Sequence, residues 1–149
     1  MKYSLIFILA GALGFFVFFK YQGRGLLFEH DIARLRIARV VMEVELSQNL
    51  GERELGLSGR QSLASGKGML FIFPKPGLYV IWMKNMKFPI DIIWLDQNYK
   101  VIYIKENARP ESYPETFSPP DLAQYVLETN IGFADKYQIK IGDQAEILK

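Results

Sequence analysis

From residue 39 onward the chain is built of short stretches in which apolar and polar positions alternate or apolar residues run together. In "VVMEVELS" (40–47), Val40, Met42, Val44 and Leu46 hold one parity, and Val41, Glu43 and Glu45 the other. A period of two predicts a half-buried strand. Met69 to Phe73 are apolar on both parities, which predicts a strand covered on both faces. "LYVIWM" (78–83), "IDIIWLD" (90–96), "VIYIKE" (101–106) and "AQYVLET" (123–129) read as further strands. "QNYK" (97–100) is a tight turn that pairs the second and third of these as a hairpin. "IKIGDQAEIL" (139–148) reads as strand, turn and strand, with Gly142-Asp143 placed for backbone reasons and given no chemistry.

Two stretches break the alternation and predict short helices. In "NLGERELGLSGR" (49–60), Asn49 with Glu52 three positions later fits a capping box, and Gly56 or Gly59 ends the turn. In "NIGFADKYQ" (130–138), Asn130 is the expected cap, with Ala134 and Tyr137 on the apolar side. Residues 107–120 hold four of the seven prolines and predict no regular element. The sum is a mainly β, β-rich α+β domain over residues 39–149, compact and barrel-like. About seven short strands and two short helices are too tightly spaced for a doubly wound sheet.

The N-terminus follows another pattern. "YSLIFILAGALGFFVFF" (3–19) carries no charge, and Lys2 and Lys20 bracket it. As a helix it would cover roughly 25 Å, enough for a thin bilayer. A cleaved signal peptide would need small residues before the cut, whereas this stretch ends in Phe15, Phe16, Val17, Phe18 and Phe19. The reading is an uncleaved signal anchor over 1–20, a membrane helix preceding the domain, then a juxtamembrane linker over 21–38 that contains the lone His30.

Composition then removes whole classes of function. The chain has no cysteine and no histidine beyond His30, which excludes cysteine–histidine and serine–histidine catalysis in the domain. A zinc site would have only carboxylates, and Gly66-Lys67-Gly68 is too short for a phosphate loop. No metal and no cofactor is expected. From residue 41 onward 12 basic residues face 14 acidic ones, so no basic surplus points to nucleic acid.

"ERELGLSGR", "GKGMLFIF", "WMKNMKFPIDIIWLD" and "VLETNIGFADKYQIKIGDQAEI" stand in the order and spacing of the small uncharacterised family called domain of unknown function 192, which this sequence resembles over residues 40–148. The resemblance implies a compact, mainly β, barrel-like domain in an exported setting, and brings no activity with it. Two positions depart from the family pattern: Met86 stands where a threonine is usual, and Ser58 where a methionine is usual. Arg24, Arg34, Arg36 and Arg39 after the apolar span favour a cytoplasmic domain by charge counting. The exported habit implied by the resemblance outweighs that count, giving a membrane-anchored, single-pass, extracytoplasmic domain as the expectation.

The candidate site residues are Arg53, Arg60, Trp82, Lys84, Asn85 and Asp91. On a strand Trp82 and Lys84 share a face, an aromatic platform beside a cation. Arg53 and Arg60 would converge on an anion only if the helix ran through Gly56 and Gly59. Glu106, Asn107 and Arg109 open the proline-rich loop that could cover a pocket mouth. Against this stands a structural reading: Asp91 paired with Lys84 or an arginine, and Asn85 satisfying a turn. Three functions remain open. One is a binding or accessory module for a small polar or anionic ligand or envelope component. Another is an enzyme using Asp91 and Lys84, or the pair Asp91 and Glu106 on a glycan. The last is a protein-interaction domain with no small ligand.

Overall fold

A computed structural model describes residues 30–148. The expected anchor over 1–20 and the first half of the expected linker, 21–29, lie outside the described residues. Among those described, no helix is long and apolar enough to cross a membrane.

Nine strands form among the described residues, β1 (Ile32–Ile37), β2 (Val40–Ser47), β3 (Lys67–Gly77), β4 (Ile81–Trp82), β5 (Ile90–Leu95), β6 (Val101–Ala108), β7 (Thr116–Phe117), β8 (Ala123–Asn130) and β9 (Ala145–Leu148). Helix α1 spans Leu50–Leu55, and α2 spans Phe133–Tyr137. Seven strands make one sheet in the order β6-β5-β8-β3-β2-β1-β9, and β4 and β7 form a separate pair. The sheet is antiparallel except where β2 runs parallel to β3. That one parallel step is spanned by α1. The sheet curls into a half-barrel whose edges meet at one end, where Val101 donates to the Asp143 carbonyl (2.8 Å) and Ala145 to the Tyr99 carbonyl (2.9 Å).

Both faces of the sheet are covered, as the double-parity strands require. Inside the curl, Leu35, Val44, Leu70, Ile93, Leu127 and Phe133 pack together. On the other face Met69, Phe71, Ile92, Trp94 and Val126 are covered by Leu57, Leu63 and Met83, which come from loops. β5 is buried at every position, and the Trp94 indole N–H donates to the Tyr79 carbonyl at 2.8 Å.

Five local expectations change. Residues 32–37, read as linker, are β1, because Leu35 and Ile37 alternate with Arg34 and Arg36 and fill the core. "LYVIWM" yields only the two-residue β4, and the first half of "IKIGDQAEIL" is a turn rather than a strand. The proline-rich stretch does hold regular structure, a 3-10 turn at Pro110–Ser112 and then β7. Asn130 ends β8 instead of capping α2, whose cap is Gly132 in the left-handed region (φ 77°). At α1 the expected capping box is present: the Asn49 side chain accepts from the Glu52 N–H (3.0 Å), and the Glu52 carboxylate accepts from the Asn49 N–H (3.2 Å).

Candidate functional site

Helix α1 and β4 face each other across an open cleft of about 640 Å³. Leu50, Arg53, Glu54 and Leu55 line one wall, Val80, Ile81, Trp82, Lys84 and Asn85 the other, with Phe71 and Phe73 between them. Trp82 is 53% exposed, a large apolar area for a residue that usually hides its ring. The Lys84 ammonium lies over the Trp82 ring, 5.5 Å from its centre. Tyr113 meets the same ring edge-on at 6.5 Å, so the proline-rich loop does reach the rim of the cleft.

The walls are held by backbone. Asn85 adopts φ 58°, a left-handed conformation that asparagine tolerates better than most residues. This turns its carbonyl to accept from the Gly59 N–H at 2.9 Å, while the Ser58 hydroxyl donates to the Lys84 carbonyl at 3.0 Å. Ser58, where the resemblance expected methionine, is therefore one half of the clasp. Arg53 is committed to the scaffold: its Nη1 donates to the Ile72 carbonyl (2.9 Å) and the Gln48 carbonyl, and its guanidinium lies over Phe73.

Arg53, Trp82, Lys84 and Asn85 thus meet at one concavity, and two expected members do not. Arg60 does not converge with Arg53, because α1 stops at Leu55 and Gly56 turns the chain. It instead grips Glu45 with both nitrogens, at 2.6 and 2.7 Å. That fork holds the Glu45 carboxylate below its ordinary pKa and lifts Arg60 above its own. Asp91 is fully buried and, among the described residues, pairs with neither Lys84 nor an arginine. Its two oxygens accept from the Asn107 N–H (2.9 Å) and the Ala134 N–H (3.0 Å). The second bond serves the α2 terminus that Gly132 leaves without a side-chain cap. Asp91 lines neither the cleft nor its inner extension. Glu106, Asn107 and Arg109 are exposed and also lie outside it.

One residue escaped the sequence reading. A hollow of about 70 Å³ adjoins the cleft, sharing Arg53, Ser58, Phe71 and Trp82, and extends to Met86 and Glu128. Glu128, on β8, is only 5% exposed. Burial pushes its carboxyl up to about 8, against a smaller opposing pull from Arg60. A single acid inside the apolar run "YVLET" was the available signal.

The family model for domain of unknown function 192, described as Uncharacterized ACR, matches residues 32–147. The chain belongs to this family. The domain of unknown function 192 member is similar to a crystal structure from Sinorhizobium meliloti 1021 described provisionally as a transcription regulator. Identity is 30%, covering 79% of this chain and 95% of that one, with a TM-score of 0.76. It is also similar to a protein of unknown function from Novosphingobium aromaticivorans DSM 12444. There identity is 28%, coverage 82% and 89%, and the TM-score 0.76. No curated protein sequence matches the chain. The family match begins at β1, in accord with a domain that includes that strand.

Proposed function

We propose that this family member is a membrane-tethered binding module whose ligand site is the cleft between α1 and β4. The observation that carries the reading is the exposed Trp82 ring with the Lys84 ammonium over it, at the wall of a concavity of small-molecule size. An aromatic surface beside a cation suits a ligand with an apolar body and a negative or polar group. The enzyme reading loses its base, since both Asp91 oxygens are taken by backbone amides away from the cleft. The regulator description of the Sinorhizobium relative, carried over, fits ligand sensing better than contact with nucleic acid, given the balanced charge after residue 41.

The uncharged stretch 3–19 supports a single-pass anchor, and the exported habit implied by the family supports an extracytoplasmic domain. Thermal-shift screening of the full chain against envelope components tests the site. A ligand that raises the melting temperature of the parent should fail to do so with Trp82→Ala and with Lys84→Ala. A screen without shifts, together with unchanged cell phenotypes for both variants, overturns the reading. Labelling of Lys84 by an impermeant amine reagent on intact cells tests the orientation.

A further inference from the structure

Glu128 lines the hollow beside the cleft and has no side-chain partner among the described residues. Among the described residues no hydrogen bond or ion pair engages its carboxyl. Its cross-strand neighbours are Met69 on β3 and Ile92 on β5, which offer nothing polar. The charged groups that face its surroundings are accounted for. Arg60, beyond α1, is gripped by Glu45 of β2, and Arg53 by carbonyls, while Glu54 is exposed on α1. The residue, only 5% exposed, lines a hollow that adjoins the cleft, so its carboxyl is within reach of what the cleft holds.

We propose that Glu128 is the recognition group at the inner end of the cleft, where its carboxyl hydrogen-bonds the carboxylate of an apolar monocarboxylic acid. The hydrocarbon body of that ligand lies along Phe71, Val80 and Trp82. The inner hollow takes a group of a few heavy atoms, such as a carboxylate, and the larger cleft takes the rest. The sign of the ligand follows from the surroundings. Arg53 and Lys84 line the cleft, and Arg60 is near enough to act on Glu128 electrostatically. An ammonium would meet those cations along the cleft. A carboxylate meets a donor instead, and the hydrogen bond to an ionised acceptor is of the stronger kind. This inference rests on the cleft being the ligand site.

Titrating hexanoate and hexylamine into the full-length chain, with Trp82 fluorescence and calorimetry as readouts, tests it. Hexanoate is expected to bind, and its affinity to fall roughly tenfold per pH unit once the pH exceeds about 8. Glu128→Gln keeps a donor at every pH, so its hexanoate affinity should stay flat from pH 6 to 9. Preference for hexylamine, or affinity rising with pH, overturns the proposal. So does an unchanged pH profile in Glu128→Gln. If Trp82→Ala then still abolishes hexanoate binding, the cleft survives as the ligand site and only the role of Glu128 fails. Silence of both probes at Trp82 also overturns the proposal, and leaves the cleft to its own screen of envelope components.

Discussion

Glu45 and Glu128 stand on one face of the sheet, flanking Met69, and only Glu45 has an arginine. Register places Glu45 opposite Met69 on one side and Glu128 opposite it on the other. The Arg60 fork closes on Glu45 and acts on Glu128 only through space. Two identical side chains a strand apart are thereby driven in opposite directions, one below its ordinary pKa and one up to about 8.

The pH dependence of stability follows with opposite signs. Glu128 is raised, so the folded state binds its proton more tightly than the unfolded chain does. Its contribution is complete below the unfolded value of 4.5 and is lost as pH climbs through about 8. Across that window the loss approaches ~1.4 kcal/mol per pH unit. Glu128→Gln should therefore be the more stable protein at pH 8, with the advantage shrinking towards pH 5. Glu45 is lowered, so its contribution is present above 4.5 and lost in acid. Urea titrations of both chains at pH 4, 5, 7 and 8 check the two slopes.

Arg60→Met removes the fork and the through-space pull together. The Glu45 pKa should rise, and the Glu128 pKa should rise further still. Carboxyl NMR titration reads both, and a fall at Glu128 would mean that Arg60 does not act on it.

Asp91→Asn replaces one acceptor oxygen by a donor opposite a backbone N–H. Stability should fall by about 1–3 kcal/mol, and Asp91→Ala, which orphans both amides, should cost more. Ligand shifts at the cleft should persist in Asp91→Asn at temperatures where it is folded. Loss of binding in a folded Asp91→Asn chain would put Asp91 in the site after all.

Asn85→Gly should be nearly neutral, because glycine adopts φ 58° without strain. Asn85→Ala should cost roughly 1–2 kcal/mol at the same position. Denaturant midpoints for the pair separate the demand of the backbone from any role of the amide side chain.

Most of the strand pattern was legible because it is local. Val40 to Ser47, Met69 to Phe73, the hairpin through residues 97–100 and the Asn49 capping box declare themselves over a few residues. β1 was hidden by its arginines: Arg34 and Arg36 face outward, and the alternation of Leu35 with Ile37 is too short to stand out. Asn130 misled because the acceptor serving the α2 terminus comes from Asp91, 43 residues away. Trp82, Lys84 and Asn85 were found because they are exposed polar or aromatic residues packed into one turn. Glu128 was missed because its surroundings include Leu57 and Met86, which border the same hollow from loops distant in sequence. No periodicity within β8 reports those neighbours.

On the β4 side, the clasp across the cleft uses only the carbonyls of Lys84 and Asn85. Any residue has a carbonyl, so the identity of position 84 is free to drift while the walls stay joined. The scaffold thereby separates what keeps the walls joined from what the cleft prefers. A lineage carrying this fold could exchange one ligand for another by relettering a few exposed positions, without first losing the architecture that displays them.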